Sequence, residues 1–174
     1  MASAYPDGTS ERLANHRALL HRHANPFSFV VLGAILLLAA TGLLGGGRSP
    51  VERVEAPGAT MTVKLPRTLR SGLFFETEVT VAAKADIADA VIAIPPSLWQ
   101  DQTINSQIPA AESEEFKDGV FRFHYGPLKA GETLHAKFDG QINPPLTWGT
   151  AGAVIVLDGE REIARVPLSI RVLP

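Results

Sequence analysis

Residues 74–82, FFETEVTVA, alternate from the second residue on. Phe75, Thr77, Val79 and Val81 fall on one side, Glu76, Glu78 and Thr80 on the other. A period of two marks a half-buried β-strand, because successive side chains leave a pleated backbone on opposite faces. Residues 133–142 repeat the pattern, with Leu134, Ala136 and Phe138 opposed to His135, Lys137 and Asp139. These two runs predict a sheet with one wet and one dry face.

Similar runs lie on both sides. Residues 59–65 stop at Pro66, and residues 89–94 (DAVIAI) stop at Pro95-Pro96. Residues 113–117 and 120–125 flank Asp118-Gly119, a dipeptide suited to a two-residue hairpin turn. In the second arm Phe121, Phe123 and Tyr125 oppose Arg122 and His124. Residues 151–157 are almost continuously apolar, Asp158-Gly159 signals a second hairpin, and residues 162–172 return with Ala164, Val166, Leu168, Ile170 and Val172 inward. Pro167 in that last strand predicts an edge position or a bulge, since proline cannot donate to a ladder. Eight short strands at this spacing predict an antiparallel β-sandwich over residues 59–174.

The amino-terminal third reads differently. Residues 1–26 are polar and carry Arg12, His16, Arg17, His21, Arg22 and His23, with Thr9 or Ser10 placed to cap a short amphipathic helix. Residues 27–44, FSFVVLGAILLLAATGLL, hold no charge, and Gly45-Gly46-Gly47 and Arg48 follow. As a helix, eighteen to twenty-one residues would rise about 27–31 Å, the thickness of a bilayer's hydrocarbon core. The segment 27–47 is therefore predicted to be a single transmembrane helix, with a cleaved signal peptide as the rival reading. Residues 48–58 are expected to be a linker. Flanking arginines do not fix the orientation, but a long following domain translocates largely regardless of charge. The expectation is a basic, His-rich tail (1–26) in the cytoplasm and the sandwich outside, in the periplasm of a bacterium with its inner membrane as anchor.

Composition narrows the function. The 174 residues carry 16 Lys+Arg against 18 Asp+Glu, a net charge of −2 that does not suit nucleic acid. The absence of cysteine removes disulfides, thiolate metal sites and cysteine nucleophiles. Copper would need Cys or Met, and the sandwich holds only Met61. His124 and His135 sit at outward strand positions without a serine elbow, a phosphate loop or a His-Glu-x-x-His motif. No enzyme, metal, cofactor or small-molecule substrate is expected.

The stretch 126–133, GPLKAGET, followed by an alternating strand and a terminal Asp158-Gly159 hairpin, resembles bacterial extracytoplasmic immunoglobulin-like modules. The resemblance covers residues 58–174 and implies an immunoglobulin-like sandwich with a binding or spacer role. It carries over no site residues, and the cysteine pair of antibody-type domains is missing.

Two connections stand out. Residues 95–111, PPSLWQDQTINSQIPAA, read as a loop of seventeen residues bearing Trp99 and Ile104. Residues 143–149, NPPLTWG, bear Trp148. Trp99 with Ile104 is the expected contact surface, and Trp148 is expected to lid the core under its own loop, although all three are candidate partner-binding residues. These features predict a non-catalytic, membrane-anchored accessory or scaffolding subunit whose head binds a membrane or periplasmic protein partner. The alternative is an envelope glycan- or peptide-binding module.

Overall fold

The computed structural model describes residues 25–174. The predicted basic tail, with its arginines and histidines, lies outside the described residues apart from Asn25 and Pro26. The chain divides into one unit ending at Ala40 and a second running from Thr41 to Pro174.

The first unit holds helix α1, Pro26–Ala40. Asn25 caps it, its side-chain oxygen accepting a hydrogen bond from the Phe27 amide at 3.0 Å. Pro26 occupies the first turn, where its missing N–H costs nothing. None of the fifteen helical residues is buried. The sequence predicted a helix to Gly47, but this one ends at Ala40 and residues 41–46 form turns. Gly42, Gly45 and Gly46 take φ values of 76°, 95° and 76°. That left-handed backbone breaks the i→i−4 ladder. Among the described residues no helix is long and apolar enough to cross a membrane.

The second unit is mainly β, in two sheets. Its elements are β1 (Val51–Glu55), β2 (Ala59–Lys64), β3 (Thr68–Arg70), β4 (Phe74–Ala83), β5 (Ala90–Ile94), helix α2 (Pro96–Trp99), β6 (Gln102–Ile108), β7 (Ser113–Lys117), β8 (Val120–His124), β9 (Thr133–Ile142), β10 (Trp148–Asp158) and β11 (Arg161–Leu173). One sheet runs β1-β2-β4-β9-β6 and the other β3-β11-β10-β5-β8-β7. All ladders are antiparallel except β3 with β11, which is parallel.

The alternation read from the sequence sets the faces. Phe75, Thr77, Val79 and Val81 of β4 are buried, as are Leu134, Ala136 and Phe138 of β9. β4 pairs with β9 in the register Val79↔Ala136 and Val81↔Leu134, so the two dry faces coincide. Against them lie Ile92, Ile94, Val154, Val156, Ala164 and Val166 of the other sheet. A second cluster, with Phe75, Ile142, Leu146, Ile170 and Val172, fills one end of the sandwich. Phe75 lies over Gly140 of β9, where a β-carbon would fall 2.6 Å from the ring.

Three local expectations change. Val51–Glu55, read as linker, pairs with β2 throughout, from Val51↔Lys64 to Glu55↔Thr60. The expected loop at 95–111 instead contains α2 and strand β6, which borders β9. Its polar amides occupy a sheet edge, where alternation with small apolar residues carries no strong signal. The second hairpin turns on Gly159-Glu160, because Asp158 remains paired with Arg161. Arg122, read on the face opposite Phe121 and Phe123, is buried there. Pro167 behaves as expected of an edge: it pairs with Ala153 on one flank, while β3 covers only Arg171–Leu173 on the other.

Candidate functional site

The sites named from sequence separate in space. Trp99, the last residue of α2, is half-buried, and its indole stands 5.8 Å from the ring of Phe121 and 5.6 Å from those of Phe123 and Phe138. The preceding Leu98 is buried, and its carbonyl accepts hydrogen bonds from Gln102 Nε2 at 2.8 Å and Thr150 Oγ1 at 2.9 Å. These bonds tie α2 to β6 and β10. Ile104 packs against the same core cluster. Trp99 and Ile104 are thus both half-buried against one core cluster, on α2 and β6 and not on an open loop.

Trp148 has the opposite fate. It is 88% exposed, the most exposed large apolar side chain among the described residues. The reason is visible in its loop. Leu146 donates its amide to the Asn143 carbonyl at 3.0 Å and is buried in the second core cluster. Leu146 therefore fills the position under the loop that the sequence reading gave to Trp148. Trp148 opens β10 opposite Val172, with φ at 74°. A bulky L-residue in the left-handed region is strained, and such strain concentrates at functional positions. The backbone beyond it is equally constrained: a β-carbon on Gly149, whose φ is 122°, would lie 1.8 Å from the Ile170 carbonyl oxygen.

Beside Trp148 lies an open groove of about 470 Å³. Its walls come from Pro144, Leu146, Val172, Leu173 and Pro174, with Ser71, Thr147 and Arg171 as polar members. The start of β4 belongs to the same end. Ser71 donates to Leu173 O at 2.9 Å, Gly72 to Ile142 O at 3.0 Å, and Ile142 to Leu73 O at 3.0 Å. Leu73 and Phe74 are both exposed there, Phe74 to 70%. Sequence reasoning placed Phe75 inward and passed over Phe74. The signal was available, because in Leu73-Phe74-Phe75 a strand can turn only alternate residues to the core.

Charged groups gather elsewhere, on the outer face of the second sheet. Arg122 on β8 is paired with Asp118 at 2.7 Å and with Glu160 beyond β10. Since β5 lies between β8 and β10, the Arg122–Glu160 pair bridges over it. Val91 and Ala93 of β5 and Ile155 and Leu157 of β10 form a buried apolar cluster on that sheet. Lys117 and, second, Arg122 hold the Glu160 carboxyl down to about 2. His124 Nδ1 lies 2.7 Å from Asp89 Oδ2, and its Nε2 lies 3.5 Å from Glu115 Oε1. His135 meets Thr80 Oγ1 at 3.1 Å on the exposed face of the first sheet. Among the described residues no group of three His, Cys, Asp or Glu is placed to hold a metal ion. The ionic cluster is a roof over apolar strands, and the Trp148 end is the candidate site.

No family model matches the chain, and no curated protein matches it. Among solved structures it is similar to the chitin-binding domain of a chitinase from Pyrococcus furiosus. The identity is 17%, over 66% of this chain and all of that one, with a TM-score of 0.40. A likeness this distant assigns no ligand to the present chain.

Proposed function

We propose that the chain is a non-catalytic accessory or scaffolding subunit held in a bacterial inner membrane by residues 27–44. In this reading the tail is cytoplasmic, and the sandwich is an immunoglobulin-like periplasmic head that meets a protein partner. One observation carries the reading: α1 buries none of its residues. Leaving Phe, Leu, Ile or Val side chains in water costs about 1.5–3 kcal/mol each, so a helix with nine of them among its fifteen residues calls for a non-aqueous cover. The apolar run continues past the helix through Leu43 and Leu44, so that residues 27–44 make eighteen in all. On the head, edge strand β7 is exposed along its length and presents Phe116, an apolar contact that a partner strand or loop would cover.

The test is fractionation followed by purification. The chain should stay with membranes through alkaline carbonate, and a stoichiometric membrane or periplasmic protein should accompany it in mild detergent. Release by carbonate would remove the anchor, and isolation alone from the detergent extract would remove the accessory role.

A second reading, an envelope glycan- or peptide-binding module, is favoured by the exposed Trp148 ring beside its groove, since an aromatic face can stack a sugar. Retention of the chain on envelope polysaccharide, lost in Trp148→Ala, would support it.

A further inference from the structure

We propose that the Trp148 end of the sandwich lies in the headgroup layer of an anionic bilayer, the same bilayer that takes up residues 27–44. The inference rests on the membrane reading above and adds that the head lies on the lipid instead of standing clear of it.

Three observations point to lipid as the occupant. First, the large apolar side chains exposed at this end include Leu43, Leu73, Phe74 and Trp148. Tryptophan at the polar boundary with aliphatic and phenyl groups beneath it is the composition that membrane–water interfaces select. A sugar platform would instead need hydrogen-bonding side chains close around the ring, and most of the groove wall is apolar.

Second, the charge at this end is suited to lipid phosphates. Arg70 and Arg171 are exposed beside the apolar group, Arg171 lining the groove itself. Glu52 pairs with Arg67 nearby, which leaves Arg70 and Arg171 among the cations this end offers to anionic headgroups.

Third, the end is tied to the apolar run. Arg70 Nε donates to the carbonyl oxygen of Leu44 at 2.9 Å, and Gly45 stacks on the Arg70 side chain, its β-carbon position lying 3.3 Å from Arg70 Cγ. Leu44 is the last residue of the apolar run, ahead of Gly45-Gly46-Gly47 and Arg48. A bilayer that accepts residues 27–44 therefore meets Arg70 where the segment leaves it. From Arg70 the short β3 connects through Ser71 and Gly72 to Leu73 and Phe74. The pairing of β10 with β11, and the Ser71–Leu173 hydrogen bond, place Trp148 at the same end. A strained, water-facing tryptophan gives the sandwich no packing in return, and lipid contact gives it a use.

The experiment uses the full chain reconstituted into phosphatidylcholine vesicles containing about one third phosphatidylglycerol, with and without bromine on the acyl chains. The chain has two tryptophans, so Trp99→Phe leaves Trp148 as the only reporter. Its emission should shift to the blue, lose about half its intensity in the brominated vesicles and resist aqueous iodide. Should Trp99→Phe disturb the core, the difference between the unmodified chain and Trp148→Phe reads the same signal. If the chain floats with the vesicles and survives carbonate while Trp148 stays water-like and open to iodide, the proposal is overturned and the membrane reading stands. The same holds if Trp148 is shielded only on adding envelope polysaccharide or a purified partner. If the chain does not float at all, both fall.

Discussion

The indole of Trp99 meets the ring of Phe138 edge-on, with centroids 5.6 Å apart and planes inclined at 61°. Phe138 is fully buried on β9, and Trp99 closes the core beside it from the end of α2. Phe123 meets both rings, at 5.6 Å from Trp99 and 5.3 Å from Phe138. Such edge-to-face groups stabilise beyond the area they bury. Trp99→Ala should therefore destabilise the sandwich by about 3 kcal/mol, while Trp148→Ala should change it by less than about 0.5 kcal/mol. Urea midpoints of the two variants, read by circular dichroism, check this. Equal midpoints would mean that the Trp99 ring is not part of the core.

The backbone at Trp148 gives a second contrast. Trp148 sits at φ 74° and Gly149 at φ 122°. Trp148→Gly should melt at or above the unmodified protein, by up to about 1 kcal/mol, because glycine occupies that conformation without strain. Gly149→Ala should cost about 2 kcal/mol or more, since its β-carbon collides with the Ile170 carbonyl and parts β10 from β11. A lower melt for Trp148→Gly than for Trp148→Ala would contradict the strain.

Acid should loosen the ionic roof. Glu160 is held at about 2 against an ordinary 4.5 by Lys117 and then Arg122, so its folded value is depressed. Its stabilisation is complete above pH 4.5 and is lost as the pH falls from there through about 2. Glu55, held at about 2 by Lys84, Thr60 and Arg53, adds a loss in the same window. In Glu160→Gln the melting temperature should fall less steeply between pH 5 and pH 2 than in the unmodified chain. It should start lower at pH 7, because buried Arg122 keeps its charge with one partner fewer. Parallel pH curves would show that Glu160 is not coupled to folding.

Alkali acts through Tyr125. Burial pushes its hydroxyl up to about 12 from 10, while Gln107 Nε2 donates to its oxygen at 3.0 Å. Between pH 10 and 12 the unfolded chain releases this proton and the folded chain keeps it, so stability falls as pH rises through that window. For a half-buried group the loss is of order 1 kcal/mol. Tyr125→Phe lacks it. The stability advantage of the unmodified protein over that variant should be constant from pH 7 to 9 and shrink above pH 10. Denaturation midpoints of both, taken across that range, test the sign.

Much of the architecture could be read along the chain. The faces of β4, β9 and β11 follow from a period of two, because burying one face of a sheet forces alternation on each strand. Asp118 and Gly119 both take positive φ, 50° and 77°, as a two-residue hairpin turn requires. Strands β1, β3 and β6 were not legible in this way. They lie at or next to sheet edges, where pairing is satisfied on one flank and side-chain identity is weakly constrained. Arg122 escaped for a different reason. Its position on β8 was read correctly as opposite Phe121 and Phe123, but that face is covered by Glu160 from a distant hairpin.

The two tryptophans mark where sequence stops. Pro95-Pro96-Ser97-Leu98-Trp99 and Pro144-Pro145-Leu146-Thr147-Trp148 are nearly the same words. Both segments bury their leucine. In the first, one helical turn brings Trp99 against the phenylalanines of β8 and β9. In the second, Leu146 takes the space beneath the loop and the extended chain carries Trp148 into the open. Composition and periodicity determined an apolar segment, a two-layer β head and two proline-tryptophan connections. Which tryptophan became core and which became surface depended on rings supplied by strands far away in the chain, and only their packing could choose.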